Sequence, residues 1–282
     1  MKTIISIEEM KSWSHITHST SKKIGFVATM GCLHSGHLKL IKTSVAECDT
    51  TVVSIFVNPT QFNPNEDFDS YPRNIESDKK ILQRIGIDVL FAPKREDIYP
   101  KTFQTFVAVE DKSNFLCGES RPGFFRGVTT IILKLFNIIN PNIAYFGEKD
   151  WQQLEVVRTM VNDLNMGVSI VGKPIVRDRD GLAMSSRNCY LSEEDRVSAL
   201  TLSQALEYAQ SLVVKGERSA ENIRSEIRKI IEQEEGNEVD YISVCDPESF
   251  LEQTQIHTKV LVALAVRVGK TRLIDNRIMG KR

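Results

Sequence analysis

The sequence contains no run of about 18 apolar residues, so no membrane-spanning helix is expected. Its start, MKTIISIEEMKSW, reaches an acidic pair before any sustained apolar stretch, so no signal peptide is expected either. It has no C-x-x-C pair. The five cysteines, Cys32, Cys48, Cys117, Cys189 and Cys245, are scattered and odd in number. That argues against a disulfide framework and a Cys-rich zinc site, and it suits a reducing cytoplasm. It also has no excess of charge of one sign: 36 Lys and Arg stand against 37 Asp and Glu, a net −1. Nucleic acid and acidic membrane are therefore not expected as bulk partners. Histidine is scarce, with five in 282 residues. Two of the five, His34 and His37, sit three apart in GFVATMGCLHSGHLKLI (25–41).

What is present is an alternation of short apolar β-rich runs with helical patterns. KIGFVAT (23–29), TTVVSIFVN (50–58), IDVLFAP (87–93), NIAYFG (142–147) and VSIVGKPIV (168–176) read as strands. HLKLIKTSVAEC (37–48), SDKKILQRIG (77–86), TTIILKLFNIIN (129–140) and WQQLEVVRTMVNDLN (151–165) read as helices, the third buried. This order predicts an α/β fold, a Rossmann-like parallel sheet with helices on both faces. Ligands of such sheets sit beyond the carboxyl ends of the strands. After about residue 180 the pattern changes. Two charged amphipathic helices (193–216, 219–235), the first capped by Ser192, precede three strands (239–246, 259–269, 271–278). We expect a catalytic domain over 1–176 and a smaller α+β domain over 177–282, the latter acting as a lid.

His34 and His37 fall where the first of these strands hands over to the first of these helices. A helix start offers backbone N–H groups and a positive dipole end, a ready anion site. Gly31 and Gly36 let backbone approach a phosphate, and two imidazoles there can donate to phosphate oxygens as charge builds. The alternatives are ordinary loop histidines or, with less support, a metal pair; no third ligand and no H-E-x-x-H pattern accompany them. A second signal is DGLAMSSRNCYLS (180–192), with Ser185, Ser186 and Arg187 in sequence. Alone it reads as a linker turn. Paired with H-x-G-H it matches the HIGH and KMSKS pair of class I adenylating synthetases, in which Arg and hydroxyls hold triphosphate oxygens.

Several longer segments then resemble one family, the pantoate–β-alanine ligases. TMGCLHSGH (29–37), FVNPTQFNPNEDFDSYPR (56–73), RPGFFRGV (121–128), KLFNIINP (134–141), FGEKDWQQL (146–154), DGLAMSSRN (180–188) and LIDN (273–276) follow in the family's order, over nearly the whole chain. The resemblance implies ATP-dependent ligation of pantoate and β-alanine through pantoyl adenylate, with ATP as substrate, Mg²⁺ held mainly by phosphate and water, and a homodimer. No catalytic nucleophile is needed, because coupling to AMP supplies the leaving group. It implies that His34 and His37 stabilise the α-phosphate, that Lys149 meets the ATP phosphates and that Ser185, Ser186 and Arg187 form the phosphate loop. Met30, Gly31, Gly147, Asp150, Val176 and Met184 complete the ATP site, Gly147 and Asp150 at the ribose. Gln61 and Gln153 grip pantoate, since an amide both donates and accepts, with Asn58, Met30 and Tyr71 beside them and Arg73 helping to close the site.

Two positions depart from the family pattern. Ala28 stands where proline is usual, which removes no chemical group. Phe124 stands where the family has histidine, in RPGFF (121–125), and it can neither donate nor accept a hydrogen bond. The expectation is an active enzyme, slowed or compensated at that position. Two other readings compete: a nucleotidylyltransferase, which shares H-x-G-H, and a nucleotide-binding protein without catalysis, whose support is Phe124.

Overall fold

The computed structural model describes residues 1–64 and 66–280; Asn65, inside the 56–73 segment, lies outside the described residues. The chain divides into two compact units. The first comprises 1–113, 121–148 and 152–174; the second comprises 114–120, 149–151 and 175–282. The short stretches 114–120 and 149–151, which the sequence reading assigned to the catalytic domain, thus cluster with the second unit.

The first unit runs β1 (Lys2–Ile4), α1 (Ile7–Ser19), β2 (Ile24–Thr29), α2 (Ser35–Glu47), β3 (Thr50–Ile55), α3 (Ile75–Ile85), β4 (Val89–Phe91) and α4 (Arg95–Ile98). After α5 (Cys117–Ser120), which belongs to the second unit, it continues with α6 (Phe124–Ile139), β5 (Ile143–Gly147), α7 (Trp151–Asp163) and β6 (Ser169–Lys173). The six strands form one parallel sheet in the order β1-β4-β3-β2-β5-β6. Neighbouring residues in β2 serve opposite faces, as the period of two requires. Val27 packs with Ile41 of α2, Val53 and Leu82 of α3, and the ring of Phe26 meets Phe136 of α6 edge-on at 6.2 Å. Both faces are covered by helices, so the strands read as continuous apolar runs. The succession leaves β2 in one direction for β3 and β4, while β5 and β6 lie on its other side. The β2–β5 boundary is therefore the topological switch point, where ligands of such sheets bind.

β1 and α1 were not expected. β1 is three residues long and is fixed by pairing with β4, a tertiary contact that leaves no local pattern. The expected strand 50–58 stops at Ile55, because Phe56–Asn58 turn away into a 3₁₀ turn at Pro59–Gln61. The buried helix expected at 129–140 begins five residues earlier, at Phe124, after Gly123 with φ +83°.

In the second unit α8 (Glu193–Val214) and α9 (Ala220–Ile231) precede β7 (Asn237–Cys245), β8 (Val260–Val268) and β9 (Thr271–Met279), an antiparallel sheet in sequential order. The Oγ of Ser192 caps α8 by accepting from the Asp195 N–H at 3.0 Å. Ile223, Ile227 and Ile231 stack on one face of α9 and bury with Val262, Leu264 and Val266 of β8. The alternate residues Leu261 and Ala263 bury on the other face with Phe250 and Cys245. β8 is thus apolar almost throughout because it is central and covered on both sides.

Candidate active site

Three loops leave the carboxyl ends of β3, β2 and β5, which are neighbours in the sheet, and these loops carry most of the residues expected at the site in the first unit. The first follows β2. Gly31 has φ +83° and Cys32 φ +51°, so the chain turns sharply there. A Cβ on Gly31 would stand 3.1 Å from Asp78 Oδ2 and 3.2 Å from Ile55, a crowding that adds to the demand for glycine. Asp78, on α3 and 3% exposed, accepts from the N–H groups of Cys32 and Leu33, both at 2.9 Å. The Gly31 N–H donates to Thr29 Oγ1 at 3.2 Å. The backbone amides of the turn are therefore spent inside the protein, and glycine serves the turn itself.

The imidazoles are what this turn presents. His34 is the N-cap of α2, and its Nδ1 accepts from the Gly36 N–H at 3.2 Å. His37 Nδ1 accepts from the His34 N–H in a long contact of 3.5 Å. The two rings lie 4.0 Å apart, tilted by 35°. A neutral imidazole that accepts at Nδ1 carries its proton on Nε2. In neutral rings the capping pattern favours the proton on Nε2, at the positive end of a 13-residue helix.

The second loop follows β3 and holds Gln61. Asn58, expected beside the ligand, is 1% exposed and is engaged within the protein. Its amide donates to Gln61 Oε1 at 2.8 Å and to the Gly127 carbonyl at 3.1 Å, and its oxygen accepts from Tyr99 at 2.9 Å and from Thr60 Oγ1 at 2.9 Å. Asn58 is thus engaged with Gln61 itself: its amide takes the Gln61 side-chain oxygen, and the Gln61 Nε2 has no part in that bond. Gly127, inside α6, permits this packing, because any Cβ there would run into the Thr60 carbonyl. Tyr71 is 6% exposed and packs edge-on against Phe62 at 5.7 Å. Arg73 donates to the carbonyls of Asp69 and Phe68, at 3.0 and 2.5 Å, so it ties its own loop.

The third loop follows β5. A Cβ at Gly147 would meet nothing within 4 Å, so its face is open. Gln153 lies half-buried on the first turn of α7, and Met30, between β2 and the histidine turn, is half-buried too.

In the second unit Lys149 Nζ stands 3.9 Å from Asp150 Oδ1, with 17% of the lysine side chain exposed. The Lys149 carbonyl accepts from Asn276 Nδ2 at 2.8 Å. Val176 and Met184 pair through backbone, Met184 N–H to the Val176 carbonyl at 2.9 Å. Ser185 caps the 3₁₀ turn Ser186–Tyr190, its Oγ accepting from the Arg187 N–H at 3.2 Å. Two residues that sequence reasoning passed over hold this loop. Arg177 forms a fork on Asp275, with Nη1 to Oδ2 at 2.6 Å and Nη2 to Oδ1 at 2.9 Å, and also donates to the Gly181 carbonyl at 3.1 Å. Arg177 had no sequence signal; Asp275 had LIDN (273–276), whose Asp grips the loop and whose Asn grips the 149 backbone. Asp78 had no signal of its own.

The Phe124 ring lies 3.8 Å from the Arg121 guanidinium carbon, measured to its centroid. Among the described residues no group of three or more His, Cys, Asp or Glu is placed to hold a metal ion, and no helix is long and apolar enough to cross a membrane.

Comparison with known proteins points one way. The family model described as pantoate-beta-alanine ligase matches residues 2–278. A Thermotoga petrophila protein named pantothenate synthetase is 51% identical over 99% of this chain and all of its own. A Geobacter sulfurreducens protein of the same name is 49% identical over the whole of this chain and 99% of its own. Among solved structures, pantothenate synthetase from Thermus thermophilus superposes with a TM-score of 0.93 at 41% identity, covering 98% of this chain and 99% of that one. The Francisella tularensis pantoate-beta-alanine ligase, solved with beta-gamma ATP and beta-alanine, gives 0.79 at 35% identity over 99% of this chain and 97% of that one.

Proposed function

The chain belongs to the pantoate–β-alanine ligase family, and from that premise we propose that it joins pantoate to β-alanine at the cost of ATP, releasing AMP and pyrophosphate. In the first step a pantoate carboxylate oxygen attacks the α-phosphorus, and the bond to the β-phosphate bridging oxygen breaks. In the second the β-alanine nitrogen attacks the acyl carbon, the bond to AMP breaks, and the nitrogen sheds its proton. The observation that carries this reading is the His34–His37 pair, two imidazoles with rings 4.0 Å apart at one helix start beside the switch point. They donate to the α-phosphate oxygens as charge gathers there. Gln61 and Gln153 bind pantoate. Lys149 and the Ser185–Ser186–Arg187 turn take the triphosphate oxygens, Gly147 and Asp150 the ribose, and Met30, Val176 and Met184 the remaining nucleotide contacts. Magnesium belongs to this reading as a counter-charge to the triphosphate, with phosphate and water oxygens as its ligands. So do a homodimer and a cytoplasmic setting.

The test is exchange of labelled pyrophosphate into ATP with Mg²⁺ and without β-alanine. Exchange that requires pantoate is the expected result, lost in His34→Ala and His37→Ala variants that still fold. If neither exchange nor, on adding β-alanine, AMP appears while ATP still binds, the ligase reading fails.

A further inference from the structure

Phe124 is the position where a polar family residue gives way to one without hydrogen-bonding atoms, and its surroundings give it a different task. Arg121, which lies under its ring, donates to Glu66 through Nε at 2.7 Å and through Nη2 at 2.5 Å. The same Nη2 donates to the Gln61 backbone carbonyl at 3.0 Å. The arginine and glutamate side chains are only 12% and 22% exposed. One face of the guanidinium is covered by the aromatic ring, and its edge is taken by a carboxylate and a carbonyl. Removing water from an arginine strengthens both the cation–π contact and the charge-assisted bonds.

Gln61 is consequently held at two points. Asn58 fixes its side-chain oxygen at 2.8 Å, and Arg121 fixes its carbonyl. Phe125 follows in α6, 3% exposed, with its ring 4.9 Å from that of Phe124, so the half-buried stacking ring rests against a core residue.

We propose that Phe124, by stacking on Arg121 in its clasp with Glu66, is a positioning residue for Gln61 and sets the affinity for pantoate. This rests on the reading of Gln61 as a pantoate ligand. It differs from a direct substrate contact, because the ring acts through the guanidinium. An aliphatic side chain of similar bulk fills the space but has no π face. Without the stack the guanidinium takes up water, its bond to the Gln61 carbonyl weakens, and the Gln61 side chain is held less firmly.

Steady-state kinetics of the full-length enzyme test the proposal with three variants. Phe124→Leu should raise KM for pantoate on the order of five- to tenfold, leaving KM for ATP within about twofold. Phe124→Tyr, which keeps the ring, should return KM for pantoate to near its original value. Glu66→Gln leaves the ring intact but weakens the clasp, and should raise KM for pantoate in the same direction. Thermal unfolding of each variant checks that it folds. An unchanged KM for pantoate in Phe124→Leu, an equal rise in both Michaelis constants, or failure of Tyr to rescue would overturn it. A parent enzyme with no pantoate-dependent exchange would instead overturn the ligase reading beneath it.

Discussion

The histidine turn after β2 and the serine–arginine loop before α8 both present groups suited to phosphate, yet they are held by opposite means. In the first, one buried carboxylate, Asp78, accepts two backbone N–H groups directly. In the second, the carboxylate of Asp275 is 2% exposed but reaches the loop only through the longer Arg177. An outer layer is then added: Arg196 donates to Asp178 at 2.8 Å and to Asp180 at 2.7 Å. The first arrangement is direct and rigid, one buried carboxylate on two backbone amides. The second is layered, from a buried fork to a half-exposed pair. Direct bonding leaves the turn little freedom, whereas a fork backed by a half-exposed pair leaves the loop more.

The largest expected effect breaks the first arrangement. Asp78→Ala leaves two amides unpaired in a buried turn. At about 1–3 kcal/mol for each unsatisfied buried group, the loss should be about 2–6 kcal/mol, read from the urea unfolding midpoint. Asp78→Asn should lose roughly half as much, since its oxygen accepts only one of the two. A cost for Asp78→Ala no larger than that of an exposed acid would show that the turn is held elsewhere.

This contrast also separates what the sequence discloses from what it hides. The strand–turn–helix around His34 and His37 is local, and spacing reveals it. The acid that fixes the turn is 46 residues away from Cys32 and reads in the sequence as an ordinary first-turn acid of α3, favourable to the helix dipole. Arg177 and Asp275 are 98 residues apart and have no common pattern. Gly127 lies before the helix expected at 129–140, yet α6 includes it and close approach to the Thr60 carbonyl requires glycine there. Asn58 reads as a ligand because it sits in the pantoate segment; its burial and its bonds to Gln61, Gly127 and Tyr99 come from packing. Phe124 reads as a loss because the resemblance registers an absent histidine, whereas its contact with the Arg121 guanidinium comes from packing. Periodicity reports which elements form. It does not report which side chain from another element completes them.

A middling effect probes the inner layer of the second loop. Arg177→Lys keeps the charge but cannot form the two-pronged contact with Asp275. We expect a loss of about 1–3 kcal/mol in stability and a higher KM for ATP with KM for pantoate unchanged. Equal stability in Arg177→Lys and the parent would show that charge alone, and not the fork, holds the loop.

The smallest effect belongs to the outer layer and sharpens the comparison most. The Arg196 side chain is 36% exposed and its partner Asp180 34%, and pairs of this kind contribute about 1 kcal/mol or less. Arg196→Gln should therefore shift the unfolding midpoint slightly at low salt and not at all at about 1 M salt, where screening acts within about 3 Å. The pH dependence has a definite sign. Burial pushes the Asp180 carboxyl up, but the Leu182 N–H and the Arg196 guanidinium outweigh it and hold the group below its ordinary value. A depressed carboxyl stabilises the folded state at pH values above its ordinary value, about 4, and that stability is lost as pH falls below it. The parent should thus lose slightly more stability than Arg196→Gln between about pH 5 and pH 3. A difference that persists at high salt, or that grows on the alkaline side, would mean that Arg196 supports the loop by packing rather than by charge, and the layered picture of the second loop would give way to one as rigid as the first.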